Sequence, residues 1–172
     1  MNAIPTIPVD WTPFLDKAGA PFPLSVIVIY NDMHAALRAA QVIERFTKKY
    51  QGRMEPRLQP LPLSQLSDPA CYDRSLVSAA LADMIIVSIN GPGGLSPALK
   101  QWIQDCTTQK REGDSAVVAL LGSMDESDPP DSPRLQFLKN AVRRAGLDFF
   151  TPTPGQPEVE YASVAPSFEV VG

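Results

Sequence analysis

One histidine and two cysteines in 172 residues leave little material for soft-metal or thiol chemistry. Cys71 and Cys106 show neither CxxC nor Cys/His spacing, so no zinc site and no disulfide framework is indicated, and both read as small apolar residues on helices. No GxSxG, no Cys/His pair and no Walker lysine occurs, which leaves the common nucleophilic and phosphoryl-transfer classes without visible machinery. Apolar runs stay well short of the roughly 18 residues of a membrane helix, and no basic stretch followed by an apolar run opens the chain. A cytoplasmic protein without a membrane partner is expected. Clustered positive charge is missing too: the net charge is −4. The pairs Lys48-Lys49, Lys110-Arg111 and Arg143-Arg144 each fall at or just past the end of an expected helix, where cations complement the dipole. A nucleic-acid partner is therefore not expected.

Proline, by contrast, is abundant, with 18 residues concentrated toward the two ends. Residues 1–23 carry Pro5, Pro8, Pro13, Pro21 and Pro23 and read as an extended arm that packs Trp11 and Phe14 against the body or a second subunit. Residues 152–172 form a matching tail that ends in Phe168, Val170 and Val171. Residues 24–151 remain as one domain, long enough to bury a core.

Within that domain strands alternate with helices, the pattern of a parallel sheet covered on both faces. Expected strands are Leu24 to Tyr30, Met54 to Pro60, Asp83 to Asn90, Ala116 to Leu121 and Leu147 to Phe150. The first, third and fourth contain continuous apolar runs and belong in the centre. The second holds Pro56 and Pro60 and belongs at an edge. A helix from about Met33 to Tyr50 places Leu37, Ala40, Ile43, Phe46 and Tyr50 on one stripe. The next begins near Asp68-Pro69 with Leu76, Ala79 and Ala80. Ser96-Pro97 and Ser132-Pro133 each supply a capping hydroxyl and an N1 proline. The helix after Ser96 carries Leu99, Trp102, Ile103 and Cys106; the one after Ser132 carries Leu135, Leu138, Ala141 and Val142 and stops at Gly146. The fold class is α/β, a three-layer doubly wound parallel sheet of five strands in the flavodoxin-like order 2-1-3-4-5.

That order opens a crevice between strands one and three, flanked by the loops after Tyr30 and after Asn90, where a small ligand is expected. The first loop offers Asn31, Asp32 and His34. Asp32 suits an N-cap, and an imidazole beside it would have the chemistry of a general base, although a single histidine in a helix first turn is more often a surface or packing residue. The loop has no glycine and sets a carboxylate where an anion would bind. The second loop, Asn90-Gly91-Pro92-Gly93-Gly94, permits positive φ and close approach of a planar ligand to main-chain amides, or serves simply as a tight turn into the Ser96 cap. A third loop, Gly122 to Asp131, contributes Ser123. Its four carboxylates lack the spacing of a calcium loop and read as solvated.

The segment Ala82 to Ile103 resembles flavodoxins and the NADPH-dependent flavin reductases, with Gly91 to Gly94 at the place of the flavin-ring loop and Leu99-Lys100 at a Leu-Lys motif of the following helix. The resemblance implies FMN binding and oxidoreductase activity. Those families place a hydroxyl-rich phosphate loop where this chain has Asn31-Asp32-Met33-His34. A second resemblance, to response-regulator receiver domains, rests on Ala145 to Pro154. It puts Asn90 at the phosphoacceptor position, Thr153 at the lysine, Ser123 at the hydroxyl after strand four, and leaves Asp32 alone of the acidic cluster. The residues themselves point to a binding or regulatory module without catalytic machinery, with a protein partner or a homodimer through the fourth helix, the last strand and the proline-rich arms.

Overall fold

The computed structural model describes residues 22–50, 53–110, 113, 115–123 and 126–151. The two proline-rich termini expected to form an arm and a tail fall on residues 1–21 and 152–172, outside these. The strands are β1 (Phe22–Tyr30), β2 (Met54–Pro62), β3 (Met84–Asn90), β4 (Ala116–Gly122) and β5 (Asp148–Phe150). Among the described residues the α-helices are α1 (Met33–Lys49), α2 (Pro69–Leu81), α3 (Pro97–Thr108) and α4 (Pro133–Arg144), with a 3₁₀ turn at Leu63–Ser67. All strand pairings are parallel and the order is 2-1-3-4-5.

Chemistry explains the order. Val26-Ile27-Val28-Ile29, Met84-Ile85-Ile86-Val87 and Val117-Val118-Ala119-Leu120-Leu121 are buried along their whole length, which only strands covered on both faces can achieve. β2 keeps its prolines at the edge, with Pro56 opposite Leu24 and Pro60 opposite Val28. β1 begins two residues earlier than expected and includes Pro23. That position pairs only with β2, because pairing to β3 starts at Val26, so the missing donor faces no second neighbour.

α1 covers one face of the sheet, in a cluster with Leu24, Val26, Val28, Met84, Ile86 and Val118. α2, α3 and α4 cover the other around Ile27, Ile29, Ile85, Val87, Val117 and Ala119. Trp102 of α3 is fully buried there, and its indole N–H donates to Ser75 Oγ at 2.8 Å, so the polar end of the ring is satisfied. Ser96 and Ser132 accept from the amides of Leu99 and Leu135 and cap their helices as expected, and Gly146 takes the positive φ that ends α4.

Two stripe assignments are corrected. In α1 the buried residues are Ala35, Ala39, Val42, Ile43 and Phe46, whereas Leu37 is 55% exposed and Ala40 faces solvent. The helix lies close on the sheet, with Ser88 Oγ donating to the Ala35 carbonyl at 2.8 Å, and such an approach admits alanine rather than leucine. In α2, Ser75 and Ala79 are buried and Ala80 is exposed.

Candidate functional site

The register sets Tyr30 beside Ser88 and Asn90 beside Gly122, so the loops after β1, β3 and β4 rise from one rim of the sheet. Asn31 and Asn90 join the first two directly. The Asn31 side chain donates to the Asn90 carbonyl and accepts from the Asn90 amide, both at 2.9 Å. The Asn90 side chain in turn donates to Asp32 Oδ2 at 2.9 Å, while Asp32 Oδ1 caps α1 through the Ala35 amide. The bond from Asn90, followed by that from Ala35, holds the Asp32 carboxyl below its usual range. His34 stands exposed on the first turn of α1 beside this carboxylate.

Arg38 extends from the second turn of α1, and its guanidinium donates to the carbonyls of Ile89 (3.0 Å), Leu120 (2.8 Å), Gly122 (3.2 Å) and Ser123 (3.1 Å). These carbonyls lie at the ends of β3 and β4 and just beyond, and that of Gly122 also accepts from the Gly91 amide. Burial lowers the guanidinium pKa, partly offset by the charge of Asp32. At the crevice expected between strands one and three the asparagine pair thus joins the two loops, and Arg38 bridges the neighbouring ends of β3 and β4.

A second arginine organises the glycine turn. Arg134, in the first turn of α4, is only 7% exposed. It forms a two-pronged ion pair with Asp128 at 2.7 and 2.8 Å and donates to the carbonyls of Gly91 (2.7 Å) and Gly93 (2.9 Å). The Gly91 amide donates to the Gly122 carbonyl at 3.2 Å. Gly91 and Gly93 do take positive φ, 97° and 104°, but Gly91 has both its polar backbone atoms, and Gly93 its carbonyl, committed to the protein. Gly94 has no such φ, and a side chain there would meet open space.

In the third loop Glu126 and Asp131 are exposed, as expected of solvated carboxylates, and Asp128 is the exception. Asp128 accepts from Arg134 and from the Ser132 hydroxyl, and the Arg134 bonds hold its carboxyl below the usual range. Gly122 has φ 103°, and a Cβ there would run into the Glu126 carbonyl and approach the Asp128 amide to 2.9 Å. Ser123 is exposed; its amide donates to the Glu126 carbonyl at 2.8 Å and its hydroxyl accepts from the Glu126 amide at 3.0 Å. A cavity of about 280 Å³ opens between this loop and the glycine turn, lined by Gly91, Gly122, Ser123, Ser127, Asp128 and Arg134 among others. Among the described residues no group of three or more His, Cys, Asp or Glu side chains is placed to hold a metal ion.

The eight residues singled out in the sequence all belong to this rim. Asn31, Asp32 and Asn90 bond to one another, Gly91 and Gly93 bond to Arg134, Ser123 carries its carbonyl to Arg38, His34 adjoins Asp32, and Gly94 stands outside the network. Arg38, Arg134 and Asp128 escaped the sequence reading. Arg134 had one signal: a cation in the first turn of a helix opposes the dipole and needs a carboxylate to hold it there.

No family model and no curated protein matches the chain. Solved structures that match include a Trp repressor binding protein from Bacillus subtilis, with 16% identity and a TM-score of 0.42 over 78% of this chain and 85% of that one. No described helix is long and apolar enough to cross a membrane.

Proposed function

We propose that this chain is a flavodoxin-like binding or regulatory module of the cytoplasm that performs no covalent chemistry of its own. One observation carries the reading. Arg38 spends its guanidinium on four backbone carbonyls at the ends of β3 and β4, beside the crevice where doubly wound folds hold their ligands. A side chain so engaged supplies neither a free charge for phosphate nor room for a ring. Asn31 and Asn90 tie together the two loops of the crevice itself and leave Asp32 as the charge at its mouth. Such a rim suits contact with a protein partner, including a second copy, better than enclosure of a small anion.

The alternative, an FMN- or nucleotide-binding oxidoreductase, draws on the positive φ of Gly91 and Gly93 and on the neighbouring cavity. Size weighs against it. At about 280 Å³ the cavity lies below the roughly 300–1,000 Å³ of pockets that enclose a drug-sized ligand, and FMN is at least that large. A degenerate receiver is the other alternative, and the Asn90 amide offers no nucleophile for a phosphoryl group.

Titration of the purified full chain with FMN, followed by flavin fluorescence and by melting temperature, tests the reading. Unquenched flavin and an unchanged Tm are expected. Saturable quenching with a rise of several degrees would replace the reading by the flavoprotein one.

A further inference from the structure

α3 and α4 each leave a rim loop, run back over the sheet and end shortly before β4 and β5 begin, so their last turns lie at the end of the molecule opposite the candidate site. Along most of their length large side chains fill the space around them, with Leu99, Trp102 and Ile103 on α3 and Leu135 and Leu138 on α4 all buried in one cluster. In the last turns the side chains become small. Thr107 of α3, Ala141 of α4 and Ala145 just beyond it line a cavity of about 540 Å³, together with Gln104, Lys110 and Arg144. This is nearly twice the size of the cavity at the rim and falls within the roughly 300–1,000 Å³ of pockets that hold small organic ligands.

We propose that this cavity binds a small organic carboxylate, with its anionic end on Arg144 and Gln104 and its hydrocarbon body against Ala141, Ala145 and the Thr107 methyl. Helix C-termini ordinarily offer carbonyls to a cation. Here those of Asp105, Cys106, Thr107, Val142 and Arg143 already accept, from the Thr108 hydroxyl and the amides of Gln109, Lys110, Ala145 and Gly146. The Thr107 hydroxyl is likewise spent on the Ile103 carbonyl at 2.8 Å. What faces the cavity is therefore donor-rich. Lys110 Nζ donates to the Ala80 and Ala82 carbonyls at 3.3 and 2.9 Å, which fixes a cation beside the space, while among the described residues no carboxylate lines it. Arg144 is exposed, and its guanidinium has no hydrogen bond or ion pair with a described residue. Its planar fork matches a carboxylate through two parallel bonds, and Gln104, one helix across, presents an amide donor to the same end. Alanine and threonine methyls offer the body nothing but apolar contact. The site stands apart from the rim, so the reading proposed there neither supports it nor depends on it.

The test is a nuclear magnetic resonance titration of the isotope-labelled full chain with benzoate. Saturating shifts are expected at the amides of 104–110 and 141–147, with a Kd of about 1 mM, as a fragment of this size reaches in a preformed pocket. Benzyl alcohol, which keeps the ring without the charge, and inorganic phosphate, which keeps charge without the ring, should each bind at least tenfold more weakly. Arg144→Gln should weaken benzoate at least fivefold, and Ala141→Leu, which fills the cavity, should abolish binding, with the amides of 88–91 unshifted in both variants as proof of an intact fold. Should Ala141→Leu fail to fold, the exposed Arg144→Gln decides alone. The proposal is overturned if benzoate gives no saturable shift, if Arg144→Gln binds it as well as wild type, or if phosphate binds as tightly as benzoate.

Discussion

Asn31 and Asn90, 59 positions apart, exchange two hydrogen bonds of 2.9 Å, side chain to backbone in both directions, and so lock the loop after β1 to the end of β3. The third bond, from the Asn90 side chain to Asp32, makes the amide nitrogen indispensable at that position. Asn90→Asp replaces this donor by a second carboxylate facing the first. The variant is expected to melt several degrees lower than wild type at pH 7, with the gap closing near pH 4 as one of the two carboxylates takes up a proton. Calorimetry at the two pH values checks it. An equal gap at both would mean that charge is not the cause.

Arg38 satisfies four carbonyls at the ends of β3 and β4, and no other described side chain reaches them. Arg38→Met keeps the aliphatic stem and takes the side-chain donor from all four, of which Gly122 keeps its bond from the Gly91 amide. A loss of about 3 kcal/mol in urea unfolding is expected, since each unmade buried bond costs on the order of 1 kcal/mol and water repairs part of the damage. Lysine has three donors from one nitrogen and cannot fork between two strands, so Arg38→Lys should recover less than half of the loss. Full recovery would show that positive charge, rather than the fork, is what the crevice needs.

Much of the fold was legible because its signals are local. Three apolar runs had to be central, two prolines had to sit at an edge, and Ser-Pro pairs had to open helices. The α1 stripe failed for a physical reason: hydrophobicity favours Leu37 and Ala40, but close packing on β3 selects the small Ala35 and Ala39 for the inner face. At the site, topology alone brought Asn31, Asp32 and Asn90 to one rim. Arg38 and Arg134 were not legible, because each acts through a long side chain on backbone carbonyls between 41 and 85 positions away. No periodicity or motif encodes that reach.

Arg134 and Asp128 carry the most deeply buried ion pair among the described residues, and the arginine also serves Gly91 and Gly93. Arg134→Met is expected to cost about 3 kcal/mol, because it leaves a part-buried carboxylate and two carbonyls without donors. Asp128→Asn has a pH signature. The folded pKa of Asp128 is depressed, chiefly by the Arg134 bonds, so its contribution is present above the unfolded value near ~3.9 and is lost as pH falls through the folded one. Urea titrations should therefore show wild type more stable than Asp128→Asn at pH 6, with the gap narrowing as pH falls below ~3.9.

Gly122 needs both its positive φ and its bare Cα, since a methyl group would collide with the Glu126 carbonyl. Gly122→Ala is expected to lose about 2–4 kcal/mol, the sum of a left-handed alanine and a displaced loop. Gly94→Ala, where the added carbon meets nothing, should stay within about 0.5 kcal/mol of wild type. If both alanines are equally harmless, the third loop is not held as described.

Asp148 opens β5 half-buried, and burial alone raises its pKa to about 6. The sign is opposite to that of Asp128. A carboxyl whose folded pKa exceeds its unfolded value near ~3.9 binds its proton more tightly in the native state, so it destabilises progressively as pH rises from about 4 to 6 and by a constant amount above. A shift of this size corresponds to roughly 3 kcal/mol, and halving it for solvent screening leaves about 1.5 kcal/mol. Asp148→Asn removes the ionisation while keeping the shape. The variant should be more stable than wild type by that amount at pH 7, with the advantage fading to nothing at pH 4. Urea unfolding at pH 4, 5, 6 and 7 resolves the trend, and an advantage independent of pH would place the cause in packing or hydrogen bonding rather than in the buried charge.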